Sequence, residues 1–86
     1  MEKNQQTRQR RGMYFQSMLP ILELIGQNRL LIENHQGVLS YSVKKIEIKV
    51  LYGSMIVTGE DLCLIEMSKV KLVICGRVDG LQLFGG

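Results

Sequence analysis

Hydrophobic and polar positions alternate most cleanly in "KIEIKV", where Ile46, Ile48 and Val50 fall on one side and Lys45, Glu47 and Lys49 on the other. A period of two marks a strand with one dry and one wet face. "SMIVTG" and "KLVICG" are apolar at consecutive positions, which predicts strands covered on both faces. "RLLIEN", "GVLSYS", "DLCLIEM" and "GLQLF" complete a set of six or seven strands, with β character beginning at Ile21. Gly26, Gly37, Gly53, Gly59, Gly76 and Gly80 punctuate these runs, with Asn28, Asn34, Ser54, Asp61 and Asp79 near them. Such residues accept positive φ or build side-chain turns. Gly76 and Gly80 also suit bulges in one long bent strand.

The pattern predicts an all-β fold: a small antiparallel sandwich or partly open barrel, with a short N-terminal segment packed across it. Residues 1–12, "MEKNQQTRQRRG", lack hydrophobic period and read as a disordered basic arm, leaving 13–86 as a single domain. "MYFQSML" fits either a short helical turn or an amphipathic patch, and Pro20 stops any helix there. Gly37, Gly59 and Gly80 are 22 and 21 residues apart. A repeated hairpin unit gives this spacing, but an ordinary β-meander gives it too and is favoured.

Charge sharpens the division. The arm carries Lys3, Arg8, Arg10 and Arg11 against Glu2, a net +3, whereas residues 13–86 carry seven basic and seven acidic side chains. A neutral body argues against a nucleic-acid-binding face, which needs clustered Lys and Arg. In the arm, Arg8, Arg10 and Arg11 stand beside Tyr14 and Phe15. That combination suits anionic lipid or a membrane-protein partner and, less well, a phosphate backbone, but a solvated tail is the favoured reading. No run approaches the ~18 apolar residues of a membrane-spanning helix, and a cytosolic protein is expected.

Candidate chemistry is sparse. His35, the single histidine, lies in "IENHQGVLSYS" near Glu33, as a general base or metal ligand would. "NHQG" also reads as a hairpin turn, with Gly37 as its positive-φ residue and His35 exposed or hydrogen-bonded, and that reading is preferred. Glu60 and Asp61 in "TGEDL" offer too few oxygens for Ca²⁺ and read as a solvated turn with Gly59 left-handed. Cys63 and Cys75 sit in apolar runs without CxxC spacing, and with one histidine they fall short of a four-ligand zinc site. A disulfide between neighbouring strands is geometrically open to them, but free core thiols are the commoner case. No phosphate-binding glycine motif is present. Neither a catalytic centre, a metal nor a cofactor is expected.

The run "LPILELIGQNRLLIENHQGVLSYS", followed by "KIEIKVLYGSMIVTGEDLCLIEM" and "VKLVICGRVDGLQLF", resembles the YabP/YqfC family of sporulation proteins, and its YqfC branch in particular. The motif blocks that carry the likeness are Gly26 to Gly37, with Gln27 inserted before Asn28, and Val57 to Leu62. Asn34, His35, Gly37 and Gly59 are their turn residues. The resemblance covers about residues 19–84. It implies a small non-enzymatic all-β protein of endospore-forming bacteria, acting in the mother cell and associated with a membrane-protein partner; the expected location is the mother-cell cytoplasm, with the periphery of the forespore membrane as the alternative. Two positions depart from the pattern: Ile21 where a charged residue usually follows "LP", and Cys75 where an acidic one is common. Strands apolar on both faces need cover, so a homo-oligomer is expected as well. The rival expectation is a small nucleic-acid-binding barrel, Sm-like or OB-like.

Overall fold

The computed structural model describes residues 18–85. The basic arm, with Arg8, Arg10 and Arg11, and the segment holding Tyr14 and Phe15 lie outside the described residues. Six strands follow in order: β1 Ile21–Ile25, β2 Arg29–Glu33, β3 Val38–Tyr41, β4 Lys45–Val50, β5 Gly53–Met67 and β6 Lys71–Gly85. They form one sheet in the order β1-β2-β6-β5-β4-β3, antiparallel at every step. Its two ends, β1 and β3, do not pair with each other, so the sheet is not closed into a barrel. The all-β expectation holds.

A meander, β3 to β6, therefore accounts for most of the chain, with the β1–β2 hairpin laid against β6. β5 and β6 are 15 residues each and work in two halves. Residues 71–75 of β6 pair with β2, while Gly53–Thr58 of β5 pair with β4. Between these halves the β5–β6 register shifts at Thr58/Gly59 and Glu60/Cys63, with a further shift at Leu64/Glu66. Such bulges bend and twist a strand pair. Leu30, Ile32, Leu72 and Ile74 from one half and Ile46, Ile48, Met55 and Val57 from the other join one buried cluster. The sheet folds over on itself and each half covers the other. Burial of a Leu or Ile side chain is worth about 1.5–3 kcal/mol, so this cluster is the main source of stability.

The bend occurs where backbones approach too closely for side chains. A Cβ built on Gly59 would overlap the Arg77 carbonyl oxygen, and one on Gly76 would overlap that of Asp61. Gly76 also has φ +107, a value that L side chains rarely adopt. These contacts correct the reading of "TGEDL" as a solvated turn. It is a bulge inside β5, Gly59 is buried for its missing side chain, and the left-handed residue is Asp61 with φ 54. "KLVICG" and "GLQLF" likewise belong to one strand. "KLVICG" buries Leu72, Val73 and Ile74 in succession as expected, but "SMIVTG" buries only alternate residues, Met55 and Val57, with Ile56 half-covered.

Candidate functional site

After β2 the chain leaves one half of the folded sheet for the other, and residues 34–37 make the crossing. Asn34 enters it with φ 66, donates from its backbone N–H to Val70 O at 2.6 Å, and from Nδ2 to Leu19 O at 2.9 Å. Gln36 N donates to Lys49 O at 2.7 Å, and Lys49 N donates to Gly37 O at 2.8 Å. One segment thus grips the approach to β1, the β5–β6 turn and β4. β2 and β3 are not paired with each other, so "NHQG" is a crossover and not the turn of a hairpin.

His35 lies at the centre of this crossing and is only 7% exposed. Its Nδ1 accepts from Gly37 N at 3.0 Å, which leaves the proton on Nε2 to be donated to Ser68 O at 2.8 Å. Both ring nitrogens are spent on backbone groups. No lone pair is left to take a proton from a substrate or to ligate a metal. Glu33, the imagined catalytic partner, stands on β2 opposite Lys71 and Ile21, exposed on the outer face. Gly37 has the predicted positive φ, +125, and open space around it. Of the four motif residues, Asn34, His35 and Gly37 meet in the crossing, and Gly59 lies apart from them at the bend of β5.

Near that bend Arg77 donates from Nε to Asp79 Oδ1 at 2.9 Å and from Nη2 to Oδ2 at 3.1 Å. This two-pronged hydrogen bond holds the Asp79 carboxyl below its ordinary range and raises Arg77, with Glu60 and Asp61 adding a smaller attraction on Arg77. The guanidinium and carboxylate are both exposed, so the pair contributes little to stability. Among the described residues no group of three or more His, Cys, Asp or Glu is placed to hold a metal ion. Cys63 and Cys75 face each other directly across β5 and β6 as free thiols, Cys63 exposed and Cys75 half-buried.

The remaining features are surface features. A groove of about 360 Å³ is lined by Leu39, Glu47, Lys49, Tyr52, Ser54 and Phe84, with Gly53 and Gly85 at its end. A smaller one, about 260 Å³, runs between Ile21, Glu23, Leu31, Glu33 and Lys71. Tyr41 donates its hydroxyl to Leu62 O at 3.3 Å, tying the edge strand β3 to the bend. Residues that sequence reasoning passed over are Leu81 and Leu83. They stand opposite the fully buried Val57 and Met55 in β5, on the same face, yet are 40% and 66% exposed. Their alternation with Gly80, Gln82 and Phe84 was visible in "GLQLF", but not their place on an uncovered margin.

An open, folded-over β-sheet whose motif residues secure its own backbone defines a small all-β module rather than a pocketed one. The chain belongs to the YabP family, whose model matches residues 19–85. It is similar to the uncharacterized protein YqfC of Bacillus subtilis (strain 168), being 25% identical over 61 residues, 71% of this chain and 66% of that protein. The match thus spans just under two thirds of that relative's length. No solved structure matches. Among the described residues no helix is long and apolar enough to cross a membrane.

Proposed function

We propose that this chain is a non-catalytic sporulation protein, an interaction or assembly module of the mother cell that works beside a membrane-protein partner during endospore formation. Membership of the YabP family carries the reading. The chemistry around His35 supports its non-catalytic part, because a ring whose two nitrogens serve backbone groups has no free site for proton transfer. The exposed apolar side chains Leu39, Tyr52, Leu83 and Phe84 supply contact area of the kind protein partners use. The basic arm, with Arg8, Arg10, Arg11, Tyr14 and Phe15, is assigned to the membrane surface or the membrane-protein partner.

The test is a count of heat-resistant spores in the source organism after deletion of the gene, with complementation by the full chain and by residues 13–86. The expected result is a large loss, restored by the full chain and incompletely by the shortened one. Normal counts after deletion would overturn the sporulation role. Full rescue by residues 13–86 would remove the arm from it.

A further inference from the structure

The folded sheet leaves four strand margins without a partner among the described residues, and three of them are protected against pairing. The margin of β1 carries Glu23 at its middle and follows Pro20. The far half of β5 carries Glu66 beside a register shift at Leu64/Glu66. β3 is four residues long, has a shift between Val38 and Ser40, and leads into Lys44 and Lys45. Charges, prolines, short strands and bulges are the usual means of keeping an edge from recruiting another chain.

The fourth margin has none of these within residues 80–85, the charge of Asp79 and the register shift at Thr58/Gly59 lying just before it. β2 pairs with β6 only as far as Cys75, and the β1–β2 turn reaches Val78, whose N–H donates to Gln27 O at 2.8 Å. Beyond it, residues 80–85 keep an unbroken register with Gly53–Thr58 on one side and, among the described residues, have no strand on the other. "GLQLFG" contains no charge and no proline. Its Leu81 and Leu83 continue the layer of Val57 and Met55 to the rim, where the core ends in exposed side chains.

We infer that this margin of β6 is the docking edge for a second copy of the chain, paired antiparallel about a two-fold axis at Gln82. The inference rests on the proposed role as an assembly module and names its surface. Charge selects the edge, and the self-complementary order of its side chains selects the occupant. Self-pairing of β1 would set Glu23 against Glu23, whereas self-pairing of β6 sets no charge against a like charge within residues 80–85. In this register Leu81 of one copy meets Leu83 of the other on the core face, extending the apolar layer across the junction. On the outer face Phe84 covers the partner copy's Gly80, an arrangement that compensates for a strand glycine. A shift by two residues in either direction would lose one of these pairings or bring Arg77 into the ladder. The β1–β2 turns of both copies flank the window from opposite ends.

A junction of six-residue strands is smaller than a standard interface of about 1,600 Å², so a weak, concentration-dependent dimer is expected. The test uses the full chain in sedimentation at low and high micromolar concentration, with Leu83→Lys as the disrupting variant. Leu83 is two-thirds exposed, so the variant keeps the wild-type circular dichroism and melting curve. The expected result is a concentration-dependent dimer that Leu83→Lys weakens by about tenfold or more. In a Cys63→Ser, Cys75→Ser background, Gln82→Cys joins two copies with a short bis-maleimide and Glu23→Cys does not. A wild-type monomer at every concentration would overturn the inference, and that is the outcome if residues 1–17 cover the edge in the same chain. A dimer indifferent to Leu83→Lys, or cross-linked through position 23, would overturn it as well. The spore count is read separately: a monomer whose deletion lowers the count removes the edge but keeps the sporulation role, and a dimer with normal counts does the reverse.

Discussion

Gly59 lies against the backbone carbonyl of Arg77 on the neighbouring strand, so closely that no Cβ fits between them. This contact lets the hairpin of β5 and β6, 15 residues in each strand, bend, and the bend brings the two halves of the sheet together over one core. Gly59→Ala is therefore expected to cost about 2–4 kcal/mol, by forcing apart two backbones that have no flexible side chain to yield. Gly37→Val meets open space and pays only for its φ of +125, about 1–3 kcal/mol. Urea unfolding of both variants checks the order. A Gly59→Ala protein as stable as wild type would mean the bend is made elsewhere.

His35→Ala leaves Ser68 O and Gly37 N–H without their partners in a part-buried site. The expected loss is about 2–4 kcal/mol. His35→Gln, whose amide can still donate to the Ser68 carbonyl, should recover part of it. Thermal melts of the pair separate a structural histidine from a chemical one: a stable, folded His35→Ala chain without function would revive the catalytic reading.

Cys63 and Cys75 are register partners on adjacent antiparallel strands, where Cα atoms lie about 4.5–5.5 Å apart, inside the range a disulfide spans. Diamide, a two-electron oxidant, should join them within one chain: both thiol hydrogens pass to the diamide, which becomes the hydrazine. Mass spectrometry should then show the chain lighter by two hydrogens and not cross-linked. Before oxidation, the exposed Cys63 should react with a thiol reagent sooner than the half-buried Cys75.

Asp79 has its carboxyl lowered by the hydrogen bond from Arg77. A carboxyl with a depressed value in the folded state contributes above its unfolded value, near ~3.9, and the contribution is lost as pH falls through the folded one. The pair is exposed, so Asp79→Asn should lower the urea midpoint at neutral pH only slightly, and the difference should vanish in acid, where wild type has lost the contribution as well. A clear drop at neutral pH would assign the bend an electrostatic role that its exposure argues against.

Much of this fold was legible because alternation is local. The face of β4 carrying Ile46, Ile48 and Val50 could be read from six letters, and Gly37 announced its positive φ. "TGEDL" misled because glycine and a left-handed aspartate suit a bulge as well as a turn, and only the long-range contact of Gly59 with Arg77 distinguishes them. "NHQG" misled for a related reason. A hairpin and a crossover use the same residues, and what separates them is whether β2 meets β3 or β6. The partners of His35 are Gly37 nearby and Ser68, 33 residues away; the first was within reach of local reasoning and the second was not. Leu81 and Leu83 read as ordinary strand positions, because exposure on a margin depends on where β2 stops.

The proposal that an exposed strand edge, rather than an internal site, serves spore formation has one direct measurement. The chromosomal gene is replaced by the Leu83→Lys form, its protein level matched to wild type by immunoblot, and heat-resistant spores are counted. The expected result is a count that falls toward that of the deletion strain, with the protein present and folded. A wild-type count at equal protein level, in an organism where deletion does lower the count, would contradict it and place the working surface elsewhere on the sheet.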